Sequence, residues 1–252
     1  MHAVTTAVNE FRPEAIINAA AYTDVDRAES NPQEAFAANR DGAKNIATAS
    51  SAVGARLIHI STDYVFDGKR STPYPPSASP NPINQYGASK LAGELEVLRA
   101  GTNVTIVRTS WVYAETGRNF LTRILGLLSA ENAIRVVTDQ SGTPTAASDL
   151  AQMLWVCARD QPRPGILHWT NAGVASWYDF AVAIRELAEE HGLVDIRNTI
   201  VPISSAEYPA KARRPAYSVL DASSAWQTIG TPRHWREALA ETMNRYRLLE
   251  TH

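Results

Sequence analysis

Three short apolar runs set the frame for this chain: AIINAAA from Ala15 to Ala21, RLIHIS from Arg56 to Ser61 and VTIVRT from Val104 to Thr109. Each is short, and none alternates with polar residues as a half-wet strand does, so each predicts a strand buried on both faces. Stretches with helical spacing separate them. Val4, Ala7, Val8 and Phe11 mark one face ahead of Arg12-Pro13. Ala35, Phe36, Ala43, Ile46 and Ala47 mark the inward face of a helix from Pro32 to about Ser51, and another helix is predicted from Tyr86 to about Arg99. Buried strands alternating with helices are the pattern of an α/β protein with a parallel sheet.

Farther along the alternation loosens, with helix predicted at 120–128 and 147–158 and strand at 134–137 and 166–170. Ser176 with Asp179 fits a capping box ahead of Phe180, Ile184 and Leu187. Thr231-Pro232 predicts the start of a last helix through Trp235, Leu239, Met243 and Tyr246. Between Asp67 and Asn84 lie five prolines, which predict a long loop.

Composition narrows the function. The 24 basic and 26 acidic residues are scattered, so the footprint of a nucleic-acid binder is missing. Neither a membrane span nor a secretory signal is expected, and the single cysteine, Cys157, excludes a disulfide framework and makes a reducing cytoplasm the default compartment. Cys157 sits in an apolar run and reads as core, and no metal-site motif is visible. The 13 glycines are so spread that no two lie closer than six positions, which leaves no phosphate-binding loop, nucleophile elbow or dinucleotide fingerprint.

In an open parallel sheet, chemistry gathers at the carboxyl ends of the strands. Here those ends carry Asn18 to Thr23, Ser61-Thr62-Asp63-Tyr64 and Arg108-Thr109-Ser110-Trp111. After the loop come Tyr86 and Lys90, four apart and therefore on one helix face. A nearby ammonium favours the phenolate and draws a tyrosine from its usual pKa near 10 toward the working range. Such a tyrosine can protonate a ketone oxygen as hydride reaches its carbon, with Thr62 or Ser61 holding the same oxygen. Nine tyrosines and four lysines leave about 0.14 Tyr-x-x-x-Lys pairs to chance, so the pair alone would read as a solvated helix face. Strand, Ser/Thr end, loop of about 20 residues and then Tyr-x-x-x-Lys is the order of the short-chain dehydrogenase/reductase superfamily.

Five longer stretches sharpen the resemblance: NAAAYTDVD (Asn18 to Asp26), STDYVFDG (Ser61 to Gly68), YGASK (Tyr86 to Lys90), RTSWVY (Arg108 to Tyr113) and RPAYSVLD (Arg214 to Asp221). Together they resemble the dTDP-4-dehydrorhamnose reductase family, over nearly the whole chain. The resemblance implies a Rossmann-like sheet with a smaller C-terminal substrate-binding region, and reduction of a 4-keto dTDP-sugar to dTDP-L-rhamnose with NADPH. It makes Tyr86 the proton donor, Lys90 its partner and ribose contact, and Thr62 a tuning hydroxyl near the sugar. Ala21, Tyr22 and Thr23 would line the cofactor, and Asp63 and Trp111 would touch the sugar, with a core or lid role for Trp111 as the alternative. Tyr64 and Phe66 are expected to pack, and Arg118-Asn119-Phe120 and Arg213-Arg214 to hold the diphosphate or to be solvated.

The expected division is a nucleotide-binding part at 1–112 and about 134–165, and a substrate-binding region at about 113–133 and 166–252, with some segments returning to the first part. Family members open with a strand and a Gly-x-x-Gly-x-x-Gly turn that receives the cofactor pyrophosphate. The present sequence begins beyond that region, by some forty residues on motif spacing. A start codon assigned too late is favoured over a truly short product. The expectation is a truncated sheet that leaves Ile16, Ile17, Ile58 and Ile60 with exposed edges and apolar surface, and NADPH affinity weaker than micromolar. NADH stays open, because the ribose-reading residues would lie in that region, and a homodimer stays open too. Two other readings compete: a non-catalytic regulatory subunit like that of methionine adenosyltransferase, which resembles the same family, and a nucleotide-sugar epimerase or dehydratase, disfavoured by Ser61 to Gly68.

Overall fold

A computed structural model describes residues 2–101, 103–130, 133–160, 164–194 and 199–250. The chain opens with α1 (His2–Phe11), β1 (Ala15–Asn18), α2 (Val25–Ser30) and α3 (Pro32–Phe36). A π-helical turn at Ala37–Gly42 leads into α4 (Ala43–Val53), which stops at Gly54 in the left-handed region. Then come β2 (Arg56–Thr62), a 3₁₀ turn at Asp63–Val65, α5 (Gln85–Ala100) and β3 (Val104–Thr109). Asn84 caps α5 by accepting a hydrogen bond from Gly87 N at 2.7 Å.

The second half holds β4 (Val112–Tyr113), α6 (Phe120–Ala130), β5 (Ala133–Val137), β6 (Ser141–Gly142), β7 (Thr145–Ala146), α7 (Ala147–Asp160) and β8 (Gly165–His168). It continues with β9 (Ala175–Ser176), α8 (Trp177–Glu190), β10 (Thr199–Ile203), α9 (Ser223–Ile229) and α10 (Trp235–Glu250). The capping box predicted at Ser176 and Asp179 opens α8.

The main sheet is parallel, in the order β1-β2-β3-β8. Its central strands are buried on both faces, as their composition predicts. Leu57, Val104 and Ile106 pack with Ala43, Ala47 and Val97 of α4 and α5. Ile58 and Val107 pack on the other face with Leu150, Met153, Leu154 and Cys157 of α7 and Ala225 of α9. A second core lies beyond the sheet, where Leu121, Ile124, Phe180, Ile184, Trp235 and Leu239 gather from α6, α8 and α10.

Several expectations change in detail. The run from Ala15 to Ala21 is a strand only to Asn18, because the Asn18 side chain accepts from Ala20 N at 3.2 Å and turns the chain out of the sheet. The helix expected from Pro32 to Ser51 is interrupted by the π turn, where α5 crosses so closely that a Cβ on Gly93 would stand 2.1 Å from Asn39 O. Phe11 is 82% exposed. The last helix begins at Trp235 rather than Thr231, since the chain pairs with Ala172 through Arg233 O and Trp235 N before it coils. Residues 134–137, expected with the nucleotide-binding part, pair in parallel with β10 and join the second core. Ile58 and Ile60 have no free strand edge, because β2 is hydrogen-bonded on both sides, and Ile58 is fully buried. Among the described residues β1 pairs on one side only, and Ile16 and Ile17 are half-buried.

Candidate active site

The carboxyl ends of β1, β2 and β3 open into one cavity of about 450 Å³, lined by Ala19, Ala21, Thr23, Ser61, Thr62, Asp63, Tyr86, Lys90 and Trp111. Its far wall is apolar, from Leu150, Ala151 and Leu154 of α7. Nearly all the predicted site residues therefore meet. Tyr22 is the exception: its side chain is not in the lining, and its backbone is instead clamped by Asn39, which accepts from Tyr22 N at 2.8 Å and donates to Tyr22 O at 3.0 Å.

Thr62 ends β2 and caps the 3₁₀ turn, accepting from Tyr64 N at 3.2 Å and donating to Asp63 Oδ1 at 3.0 Å. Ser61, the other candidate hydroxyl, is committed elsewhere: it donates to Glu94 at 2.5 Å. Lys90 is buried and donates to Ile60 O at 2.7 Å. Tyr64 and Phe66 pack as expected, Tyr64 edge-on to Tyr86 and Phe66 stacked on Tyr74.

Burial dominates the electrostatics. It pushes the Tyr86 hydroxyl up to about 12, against a hydrogen bond to Thr62, with the neighbouring Asp63 charge adding to the rise. Lys90 is not among the groups that shift Tyr86, so the expected draw of the phenol toward the working range is absent and the phenol keeps its proton. Burial lowers Lys90 to about 8, opposed by Glu94. Asp63 is raised to about 7 by burial, against hydrogen bonds from Ser218 and Thr62.

Trp111 adopts φ 48°, in the left-handed region, and its ring lies across Gly142, where a Cβ would stand 2.6 Å from the indole. It stacks on Trp177 with ring centres 3.6 Å apart and planes 6° from parallel. Trp177 also lines a second, mostly apolar cavity of about 190 Å³ with Phe120, Tyr208 and Arg214. A third, open cleft of about 830 Å³ lies between Thr23 to Asp26 and Arg118, Asn119, Arg123 and Arg214. Arg214 forms an ion pair with Asp26 at 2.7 Å, and Asp26 also accepts from Lys211 N and Ala212 N at 3.0 Å each. Arg213 is exposed and is not in either lining.

The family model described as the RmlD substrate binding domain matches residues 1–248. The chain is 42% identical over 233 residues to the dTDP-4-dehydrorhamnose reductase of Sinorhizobium fredii, covering 90% of this chain and 78% of that protein. It is 45% identical over 235 residues to the Mycobacterium tuberculosis protein of the same name, covering 90% and 75%. The chain belongs to the dTDP-4-dehydrorhamnose reductase family. A solved family structure, the Bacillus anthracis reductase in complex with NADP, superposes with a TM-score of 0.90 at 39% identity, covering 96% of this chain and 84% of that one.

Some residues of this reductase fold escaped the sequence reading. Trp177 and Glu94 carried no motif of their own, since one sits at a helix start and the other on a helix face. Asn39 lay inside an apparently ordinary helix, and a polar residue among the alanines of that stretch was its only signal.

Proposed function

We propose that this chain reduces the 4-keto group of dTDP-4-dehydro-L-rhamnose to dTDP-L-rhamnose with NADPH, using Tyr86 as proton donor. The convergence of Tyr86, Lys90 and Thr62 on one cavity at the strand ends carries the reading. NADPH, when bound, supplies the hydride that reaches C4 of the sugar.

The residues fit the nicotinamide end of such a cofactor. Ala19 and Ala21 are small and exposed, and Lys90 has N–H groups beyond the one given to Ile60 for a ribose hydroxyl.

As C4 accepts the hydride, its oxygen develops alkoxide character and takes the Tyr86 proton. An alkoxide is far more basic than a phenolate, so transfer is downhill even with Tyr86 raised by burial. Lys90 then faces a phenolate and stabilises it, and solvent returns the proton. The Thr62 hydroxyl, turned from Asp63 Oδ1 to the substrate, would hold the reacting oxygen, and Asp63, with a pKa raised to about 7, a neighbouring sugar hydroxyl. Trp111 gives the sugar a rigid flat wall. Beyond it, Arg214, Arg118 and Asn119 suit the diphosphate, and the Phe120 and Trp177 cavity suits the base.

NADPH oxidation followed with dTDP-4-dehydro-L-rhamnose at millimolar NADPH tests the reading. Turnover is expected, and Tyr86→Phe is expected to lower kcat by about 10²–10⁴ while leaving dTDP binding intact. Wild-type activity in Tyr86→Phe would refute the assignment.

A further inference from the structure

Glu94 is a buried carboxylate on α5, one turn beyond Lys90 and on the same face. It accepts from Ser61 Oγ on β2 at 2.5 Å and from Arg108 on β3 through Nε at 2.9 Å and Nη2 at 2.7 Å. The pair is sealed, with side-chain exposures of 2% for Arg108 and 1% for Glu94. Arg108 is itself held from behind, by His168 of β8 at 3.5 Å and by the Phe66 ring 5.2 Å from its guanidinium carbon. One side chain thus ties the helix that carries Tyr86 and Lys90 to the strand end that carries Thr62.

The charges matter as much as the hydrogen bonds. Two cations, Lys90 and Arg108, are buried in this interior, and the ion pair of Glu94 is made with Arg108. Among the described residues no carboxylate forms an ion pair with Lys90, whose ammonium bonds to the Ile60 carbonyl. The titratable and charged groups around it are His59 on β2, on which Lys90 acts, Asp63 and Tyr86, which line the same cavity, Glu94 one turn along its own helix, and beyond Glu94 its partner Arg108 on β3 with His168 of β8 behind. His59 is neutral, held down to about 3 by burial and by Lys90 itself. Glu94 is the one of them that favours the charged lysine.

We propose that Glu94 is a positioning residue for the reduction: anchored by Arg108 and Ser61, it fixes α5 against the Ser61-Thr62 strand end and sets a buried negative charge one helical turn from the Lys90 ammonium. The proposal rests on the reading of Tyr86 and Lys90 as the reacting pair. Its consequence is a reductase whose alkaline limit is set by a residue that touches neither substrate nor cofactor.

The lysine titration reads this directly. The chain has four lysines, so a protein made with isotope-labelled lysine gives few side-chain NMR signals, and Lys90→Met identifies the Lys90 signal by its loss. Glu94→Gln is expected to move the Lys90 titration down by about half a unit or more, and Arg108→Gln to move it up, because the negative charge of Glu94 is then no longer neutralised by a guanidinium. Shifts of opposite sign show that the charges of Glu94 and Arg108 act on Lys90, and a matching movement of the alkaline limb of kcat separates a positioning role from a merely structural one. If Glu94→Gln does not fold, the charge-neutral pair E94Q/R108Q leaves no unpaired ion, and the titration is still expected to fall because Glu94, and not Arg108, is among the groups that act on Lys90. In folded active variants the alkaline limb of kcat follows the same direction, and Glu94→Asp restores it. An unchanged Lys90 titration in these variants overturns the proposal. The NMR readout needs no turnover, so absence of NADPH oxidation would count against the reductase reading without obscuring this one.

Discussion

Tyr86 and Lys90 stand four residues apart in sequence and meet in one cavity, yet burial rather than their mutual attraction sets the tyrosine's proton. A protonated phenol is the form a ketone reduction needs at its start, so the environment favours the donor role. The lysine acts afterwards, on the phenolate. Small residues matter at this scale as much as titrating ones. A methyl group at Gly93 would stand 2.1 Å from the Asn39 carbonyl oxygen, a backbone atom that cannot swing aside. Gly93→Ala is therefore expected to cost about 1–3 kcal/mol by overpacking and to lower Tm by several degrees, with NADPH oxidation falling as the Asn39 clamp on Tyr22 loosens. A Tm within one degree of wild type would show that the crossing yields without cost.

At the scale of elements, the central strands were legible because β2 and β3 are apolar on both faces and helices cover both. The helix bearing Tyr86 and Lys90 was legible for a similar reason, through its spacing and the proline-rich loop before it. What the sequence hid was decided by partners distant in the chain. The π turn at Ala37–Gly42 exists where α5 presses on it, and local spacing continued smoothly through it. Thr231-Pro232 looked like a helix start, but pairing of 233–235 with Ala172 holds that segment extended. The short strands β4, β6, β7 and β9 are two residues each and carry no period at all. The motif from Ser61 to Gly68 worked because its parts are spent on one corner: Asp67 accepts from Tyr74 and Asn81, and Gly68, with φ +78°, lies under Pro215 too closely for any Cβ. Of the candidate site, Tyr86, Lys90, Thr62, Asp63, Trp111, Ala21 and Thr23 were readable from motifs, whereas Trp177, Asn39 and Glu94 act through packing that only the fold reveals.

For the whole molecule, buried titrating groups shape stability against pH. His59 and His168 are both pushed down to about 3, chiefly by burial and then by Lys90 and Arg108 respectively. Their folded values lie below the unfolded ones, so the stability they allow above about pH 6.5 is lost as pH falls. Asp63 works the other way, since a folded value near 7 makes the native state gain protons, and stability, as pH falls from 7 toward 4. Two histidines against one carboxyl leave a net loss of about 1.4 kcal/mol per pH unit between about pH 6 and about pH 4. Urea unfolding at about pH 6 and about pH 5 is expected to show that drop, and His168→Gln to flatten it. Equal stability at the two values would contradict the burial assigned to these histidines.

The function is a property of the assembled molecule, in which the cavities on Trp111 and Trp177 are joined by the stack of those rings, and the cleft shares Thr23 with one and Phe120, Arg123 and Arg214 with the other. Its most direct test is the fate of one labelled hydrogen. With NADPH deuterated at the transferring position and dTDP-4-dehydro-L-rhamnose as substrate, a reductase delivers that deuterium to C4 of the product, so dTDP-L-rhamnose should appear one mass unit heavier with the label at C4 by NMR, and Tyr86→Phe should form almost none. A product without deuterium, as an internally recycled hydride would give, or unchanged substrate at millimolar NADPH, would contradict the account.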